Sequence, residues 1–160
     1  MDITFRTGEG RFNYRECAVV VHDGRLLAMR DGVSPYFYLP GGRVKLHEAA
    51  EDALRREMRE ELGVEGKTVR PLWLNESFFT EDVTGERFHE LCLYWLVDVS
   101  ETGLLSLGDT FSRRDDNNGR INAFEWLPFG RVKSEYLYPL FIKREIDRLP
   151  DTLTLITNYE

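Results

Sequence analysis

This sequence lacks a hydrophobic run that could cross a membrane. A membrane-spanning helix needs about 20 consecutive, mostly apolar residues, and the 160-residue chain contains no such stretch. Its first residues, MDITFRTGEGRFNYRE, are polar and lack the apolar centre of a signal peptide. The sequence therefore predicts a cytoplasmic protein with no membrane partner.

Cysteine is scarce as well, since Cys17 and Cys92 are the only two in the chain. Each lies in an apolar, strand-like run, ECAVVV or ELCLYWLV. Their number and spacing disfavour a disulfide framework and do not match a thiolate metal site. We therefore expect two free, buried thiols.

Basic residues are fewer than acidic ones: the chain has 21 Lys and Arg residues and 28 Asp and Glu residues, which gives a net charge of -7. This balance disfavours non-specific binding to nucleic acids or to anionic membranes, and no DNA partner is expected. It leaves phosphate-bearing substrates open, because a divalent cation can bridge carboxylates and phosphates.

The composition predicts one compact domain over residues 1–160. The chain is 42% hydrophobic and 12% aromatic, which supplies enough apolar surface for a core and disfavours disorder. No repeat, low-complexity segment or linker divides it. Turn signals such as the DG of Asp23–Gly24 separate the predicted strands. These strands are Tyr14–His22, Arg25–Arg30, Tyr36–Pro40, Lys67–Thr80, Arg87–Ser100, Ala123–Pro128 and Thr152–Tyr159.

Two helices are predicted among these strands. The first follows the glycine turn in LPGGRVKLHEAAEDALRREMREELGV, and the second lies in SEYLYPLFIKREIDRLP. In the second, helical spacing is shown by Leu137, Leu140, Phe141, Glu145 and Leu149. A polar loop is expected over Arg113–Asn122. Many strands with two separated helices predict a mixed α+β sandwich.

Three glutamates, Glu57, Glu60 and Glu61, crowd the end of the first predicted helix. At about 100° of rotation per residue, they continue the alanine and leucine stripe that faces the body of the protein. A charged helix end is more often simply solvated, but like charges four residues apart destabilise a helix. Buried carboxylates need a counter-charge. Arg56 and Arg59 could supply part of it, and a divalent cation supplies it better. The opposite, polar side is predicted to carry Asp52, Arg55, Arg56 and Arg59.

The spacing around these glutamates resembles the Nudix box, the motif of the Nudix hydrolase family. Nine specified positions are filled within Gly42–Val64, namely Gly42, Glu48, Arg56, Glu57, Met58, Glu60, Glu61, Gly63 and Val64. Such a motif is highly specific, although its 23 residues cover only about a seventh of the chain. The resemblance implies a Nudix-type α/β/α sandwich with a central mixed sheet.

The resemblance also implies a reaction and roles for the residues of the helix. Nudix enzymes cleave a diphosphate linkage by attack of water on phosphorus, assisted by Mg²⁺ or, as an alternative, Mn²⁺. By position, Glu57, Glu60 and Glu61 match the metal-binding glutamates, and Arg56 matches the arginine that orients its neighbours. Glu57 and Glu60 are both candidates for the general base, and the sequence does not choose between them.

The loop before the helix carries further expected roles. Gly41 and Gly42 form a tight turn where the backbone can approach a ligand, and the carbonyl of Gly42 matches a backbone metal ligand of some members. Glu48 matches a glutamate that supports the loop–helix junction. Two positions depart from many members, because His47 replaces a glycine and Ala49 replaces a serine or threonine. Ala49 cannot cap the helix with its side chain.

Candidates outside the box are less specific. Further acidic ligands often come from later segments, and Glu90, Asp115 and Asp116 are available, although an exposed polar loop is the more common explanation for the two aspartates and a strand position for Glu90. Side chains that could stack on a base are Tyr36, Phe37, Tyr38, Phe78 and Phe79. Only one face of each run can line a cleft. Side chains that could reach a phosphate are Arg6, Arg30 and Arg70.

The predicted function is therefore a metal-dependent pyrophosphohydrolase of a small nucleotide, either a nucleoside diphosphate derivative or a nucleoside triphosphate. Two other hypotheses stay open: a catalytically silent, Nudix-like nucleotide-sensing module, and a hydrolase of capped RNA ends. The acidic balance and the absence of a basic aromatic patch disfavour the latter. Because many relatives are homodimers, the resemblance also raises the hypothesis of a homodimer.

Overall fold

The computed structural model describes residues 1–160 and contains nine strands and three short α-helices. The strands are β1 (Thr4–Thr7), β2 (Gly10–His22), β3 (Arg25–Arg30), β4 (Gly41–Arg43), β5 (Lys67–Thr80), β6 (Arg87–Asp98), β7 (Thr110–Arg114), β8 (Ile121–Pro128) and β9 (Thr154–Tyr159). The helices are α1 (Ala50–Glu57), α2 (Phe129–Val132) and α3 (Ile142–Glu145). A π-helical turn (Met58–Leu62) continues α1, and a 3₁₀ turn (Gly103–Leu107) follows β6.

Strand β2 organises the sheet, because four other strands pair with it. The strand order is β7-β8-β3-β2-β6-β5-β9, and β1 and β4 pair with β2 outside this path. The β2–β6 and β5–β9 pairs are parallel and the others are antiparallel, so the sheet is mixed. The predicted turn at Asp23–Gly24 closes the β2–β3 hairpin, with both residues at positive φ as a type I′ turn requires.

The apolar residues form two cores on opposite faces of the sheet. On one face, α1 and the π-helical turn bury Leu54, Met58 and Leu62 against Ala18 and Val20 of β2. The other face is covered by the segment around α3, where Phe141 and Ile142 pack with the neighbouring strand residues Trp73, Tyr94 and Cys17. This layering confirms the predicted α+β class and the α/β/α sandwich. No helix combines the length and apolar character needed to cross a bilayer.

Two of the predicted elements are wrong. Tyr36–Pro40 is not a strand, because only the isolated bridges Met29–Tyr38 and Phe37–Leu137 form there, and prolines on both sides remove ladder donors. The second helix does not extend over Ser134–Pro150 and is reduced to the four residues of α3. Pro139 has no N–H to donate and interrupts the helical pattern.

Other differences concern strand ends, short strands and a loop, and the largest shift of a strand end is in β2, which begins at Gly10 and not at Tyr14. Strands β1, β4 and β7 were not expected from the sequence, and the polar loop is confined to Asp115–Arg120 because β7 and β8 extend into both of its ends. The prediction for the cysteines is confirmed, since Cys17 and Cys92 are free and buried, with their sulfur atoms 3.7 Å apart.

Candidate active site

The helical part of the box is α1 and the π-helical turn that extends it. Ala49 stands at the N-cap in an extended conformation and makes no side-chain cap hydrogen bond, as its side chain predicts. His47 has φ 66°, a left-handed conformation in which glycine is less strained. The π-helical turn ends at Gly63, which also has positive φ. Such π-helical turns are frequent at functional sites, and here the turn carries Glu60 and Glu61.

Arg56 is the centre of the hydrogen-bond network, and its predicted position on the exposed polar side is wrong. Only 16% of its side chain is exposed. Its Nε and Nη2 donate to the two oxygens of Glu48 at 2.7 and 2.9 Å. Nη1 donates to Glu57 and, at 3.4 Å, to Glu60, and Nη2 also donates to the carbonyl of Arg43. Arg56 therefore joins the loop to both turns of the helix.

Glu48 lies at the loop–helix junction, between Arg56 and the backbone of the loop. Besides pairing with Arg56, its Oε2 accepts a hydrogen bond of 2.9 Å from the amide of Lys45. Arg59, in contrast, points away from this network and pairs with the exposed carboxylate of Glu65. Arg59 therefore supplies no counter-charge to the glutamates, contrary to the expectation from sequence.

The glycines of β4 lie against the glutamates of the helix. The amide of Gly41 donates to Glu61 Oε2 at 2.9 Å. A Cβ atom at Gly42 would lie 2.3 Å from the carboxylate carbon of Glu57, and one at Gly41 would lie 2.2 Å from the carbonyl oxygen of Glu16. Only glycine permits this close approach of the strand to both neighbours. Gly41 and Gly42, named the glycine turn after the conformation that the sequence predicts, are not a tight turn but part of strand β4, and they seat the carboxylates.

Burial disfavours the charged form of several carboxylates at the site. It raises the pKa of Glu61 well above that of an ordinary glutamate, and the neighbouring charge of Glu57 raises it further. The pKa of Glu57 is also raised by burial, in opposition to the hydrogen bond from Arg56. Burial, Cys17 and Glu57 all raise the pKa of Glu16, a residue of β2 that forms no salt bridge. These shifts mean that the charged carboxylates lack sufficient counter-charge.

The glutamates do not converge on one point in this conformation. No group of three or more His, Cys, Asp or Glu side chains lies close enough together to hold a metal ion. Glu57 and Glu60 are turned towards Arg56, whereas Glu61 is turned towards Gly41. The structure thus brings the predicted residues into one neighbourhood and leaves their ligand geometry open.

A cavity of about 570 Å³ adjoins the glycine turn. Glu61, Gly41 and Gly42 line it together with Arg15 and Glu90. The aromatic candidates divide as alternation predicts, because Tyr36, Tyr38 and Phe79 line the cavity, whereas Phe37 and Phe78 do not. The cavity therefore brings carboxylates, arginine side chains and aromatic rings together in a single space.

The acidic candidates outside the box have different surroundings. Glu90 is buried in β6, accepts a hydrogen bond from Asn13 and lines the cavity. Asp115 is also buried, but its carboxylate accepts hydrogen bonds from Asn117 and Asn118 and stabilises the turn of its own loop. The amide of Asp116 donates to the carbonyl of Glu60, which fastens this loop to the end of the helix.

None of the three arginines considered as phosphate contacts lines the cavity. Arg6 pairs with Glu86, Arg30 lies over the ring of Phe37, and Arg70 donates to the carbonyl of Pro150. The cavity arginines are instead Arg15, Arg43 and Arg120.

Sequence reasoning missed Arg15 and Glu16, which lie on opposite faces of β2. Period-two alternation could have located both, because Glu16 shares a face with the core residues Ala18 and Val20, and Arg15 shares the other with Cys17. In each case, a charged residue on an otherwise apolar face of the strand could have indicated a functional position.

Comparisons with known proteins agree with the geometry. The chain matches the model of the NUDIX domain over residues 14–146, and no curated protein matches it. It is similar to a MutT NUDIX hydrolase from Burkholderia pseudomallei, with 26% identity, 75% of this chain and 85% of that chain covered, and a TM-score of 0.51.

Two further structures share the fold at lower identity. A mutator MutT protein from Bacillus halodurans is 14% identical, with 92% of this chain and 89% of that chain covered and a TM-score of 0.61. An ADP-ribose pyrophosphatase from Streptococcus suis is also 14% identical, with 91% and 98% covered and a TM-score of 0.56. Since the domain match spans most of the chain and includes every carboxylate placed around the glycine turn, this protein belongs to the Nudix hydrolase family, whose members act on phosphoric anhydrides.

Proposed function

We propose that this chain is a metal-dependent pyrophosphohydrolase that cleaves the diphosphate linkage of a nucleoside diphosphate derivative or a nucleoside triphosphate. The observation that carries the proposal is the contact between the box glutamates and the glycine turn beside a cavity of about 570 Å³. Ligand pockets of small molecules commonly have volumes of about 300–1,000 Å³. A nucleotide therefore fits beside Glu61, the one box glutamate that lines this cavity.

The residues of the site fit a hard divalent cation, Mg²⁺ or alternatively Mn²⁺. Such ions prefer carboxylate and carbonyl oxygens, and the site supplies several carboxylates whose charge is poorly compensated. One buried carboxylate oxygen, Oε2 of Glu16, has no hydrogen-bond partner at all. Glu57, Glu60 and Glu61 would hold the ion. When bound, the ion neutralises phosphate oxygens and acidifies a water molecule.

Protein side chains would accept the proton of the attacking water and position the carboxylates. Glu60 is the better candidate for the general base, because its side chain is 21% exposed against 14% for Glu57 and its contact with Arg56 is long at 3.4 Å. Glu57 is the alternative, and its stronger pairing with Arg56 suits a fixed ligand better than a proton acceptor. Arg56 positions both carboxylates and remains protonated at any physiological pH.

Substrate binding is assigned to the cavity. Arg15 faces it with an Nε atom that is buried and has no hydrogen-bond partner. A phosphate oxygen would accept a hydrogen bond from this Nε atom and balance the positive charge of the Arg15 guanidinium. Tyr36, Tyr38 and Phe79 offer aromatic surface to a nucleobase in the same cavity.

The test is a substrate panel with purified protein, in Mg²⁺ and in Mn²⁺, with the products identified by mass. We expect hydrolysis of at least one nucleoside diphosphate derivative or nucleoside triphosphate, and loss of kcat by orders of magnitude in Glu60→Gln and in Glu61→Gln. Each substitution removes a charge and keeps the size of the side chain, so the fold should persist.

The matched control is Glu51→Gln on the same helix, where an exposed carboxylate pairs only with Arg55. This variant should retain wild-type activity. Unchanged activity in both Glu60→Gln and Glu61→Gln would remove the site assignment. Nucleotide binding without any product after long incubation would favour the sensing module instead, and a salt-sensitive affinity for RNA would favour the cap hydrolase.

A further inference from the structure

Glu16 is a fully buried carboxylate outside the Nudix box. It lies in β2 and pairs with Gly42 of β4, and none of its surface is exposed. Ala18 and Val20, the next residues on the same face of the strand, belong to the apolar core beneath α1. An apolar side chain would suit this position, so a glutamate there calls for a specific interaction.

Only half of the Glu16 carboxylate has a partner. Its Oε1 accepts a hydrogen bond of 3.2 Å from the amide of Gly42, and its Oε2 is buried without any hydrogen bond. Burial raises the pKa of Glu16 well above that of an ordinary glutamate, and in either protonation state a buried carboxyl oxygen without a hydrogen-bond partner is unfavourable. The metal-free protein alone therefore does not account for this side chain.

The surroundings of Glu16 identify what is missing. Glu57 packs onto Gly42, whose amide Glu16 binds, so the two carboxylates flank the same glycine. Arg56, the helical cation that pairs with Glu57, is also engaged by Glu48 and Glu60. Arg15, the adjacent residue in β2, lines the cavity on the other face of the strand. Against the larger effects of burial, Cys17 and Glu57, the charge of Arg15 lowers the pKa of Glu16. A cation on the Glu57 side of Gly42 would act in the same direction as Arg15.

We propose that Glu16 is a positioning residue of the divalent-cation site, an inference that rests on the proposed function. Its Oε1 fixes the backbone of Gly42 by accepting from the amide, and its negative charge, which a nearby cation favours, increases the affinity of the site for that cation. The carboxylate thus acts from beneath the glycine turn, through Gly42 and Glu57.

The test is the affinity of Glu16→Gln for Mn²⁺ alone, measured by electron paramagnetic resonance of the free ion, together with the melting temperature of the metal-free protein. Residues that hold metal ligands in place typically contribute about 10- to 100-fold to metal affinity. We therefore expect Glu16→Gln to raise the Kd for Mn²⁺ by about 10- to 100-fold. The glutamine oxygen can still accept from the Gly42 amide, so the metal-free melting temperature should stay the same or rise.

Glu76→Gln in β5 is the matched control, because it makes the same substitution at a carboxylate that pairs only with His89 and does not line the cavity. Its affinity for Mn²⁺ should equal that of wild type. A Glu16→Gln variant with wild-type affinity would reduce Glu16 to a hydrogen-bond acceptor and overturn the inference. So would a Glu16→Gln variant that unfolds without metal, because the charge would then stabilise the metal-free fold.

The wild-type protein separates this inference from the proposed function. If wild type hydrolyses nucleotides and binds Mn²⁺, and Glu16→Gln binds Mn²⁺ equally well, only the role of Glu16 fails. If wild type neither binds Mn²⁺ at millimolar concentration nor hydrolyses any nucleotide, the proposed function fails first and the inference fails with it.

Discussion

At the scale of single residues, Arg56 determines how the carboxylates are arranged. Its guanidinium donates to Glu48, Glu57, Glu60 and the carbonyl of Arg43. The hydrogen bonds with Glu48 are the main reason that the pKa of Arg56 is raised above that of an ordinary arginine. A lysine ammonium is a single point charge without the planar fork that binds both oxygens of a carboxylate.

Replacing Arg56 with lysine should therefore impair the site while keeping its charge. Under the proposed function, in which Glu57 and Glu60 hold the cation, we expect Arg56→Lys to lower kcat/KM by about 10- to 100-fold, the usual effect of changing a partner of a metal ligand. The neighbouring Arg55→Lys is the control, because Arg55 pairs only with Glu51 and Asp52 on the exposed side of α1. Equal activity of the two variants would show that charge alone, without the fork, holds Glu48 and Glu57.

At the scale of elements, the segment before α3 contradicts its own sequence pattern. Leu137, Leu140 and Phe141 were expected on one apolar side of a long helix. Leu137 and Phe141 are fully buried against the sheet, whereas Leu140 remains 37% exposed. Phe141 contacts both Trp73 and Tyr94 edge-on, with ring centres 5.3 and 5.2 Å apart. The interruption at Pro139 turns adjacent residues to different environments.

This difference predicts unequal effects of two adjacent truncations. Phe141→Ala should lower the free energy of unfolding by about 3–5 kcal/mol, as removing a buried aromatic ring generally does. Leu140→Ala should change it by no more than about 0.5 kcal/mol, the usual range for exposed positions. Urea unfolding of both variants gives the two values. Similar losses at both positions would indicate the continuous helix that the spacing predicted.

At the scale of the whole molecule, cation binding and folding should be linked. A ligand that binds only the folded state adds about 2.7 kcal/mol at 100 times its Kd. In this size range, each kcal/mol shifts the melting temperature by about 2–4 °C. Only folding brings β4, β2 and the end of the helix together around Gly42. The unfolded chain therefore has no comparable site.

Mg²⁺ should therefore raise the melting temperature of wild type by roughly 5–10 °C at 100 times its Kd. Excess chelator should abolish the shift, and KCl at equal ionic strength should not reproduce it. The Glu60→Gln, Glu61→Gln double variant should show little of the shift, and Glu51→Gln should show all of it. A shift that survives in the double variant would locate the bound cation elsewhere.

The fold was partly readable from the sequence. Strands β3 and β5 begin and end where turn residues and alternation predicted them, because both signals are local. The short strand β4 was not predictable, since its three residues gain strand geometry only by pairing with β2. The candidate site was also only partly predictable. The box residues follow a fixed spacing in the sequence, whereas Glu16 reaches them only through the pairing of β2 with β4. The cytoplasmic location and the homodimer stay predictions.

The sequence by itself determined the family, because the box is a contiguous pattern whose residue types and spacing follow from one turn and one helix. The tertiary structure decided what surrounds that helix: which arginine faces the cavity, which aromatic rings share it, and that a carboxylate of β2 lies beneath Gly42. Those neighbours come from strands far apart in the chain. Their meeting depends on how the sheet pairs and which face each side chain takes, and no local spacing specifies that.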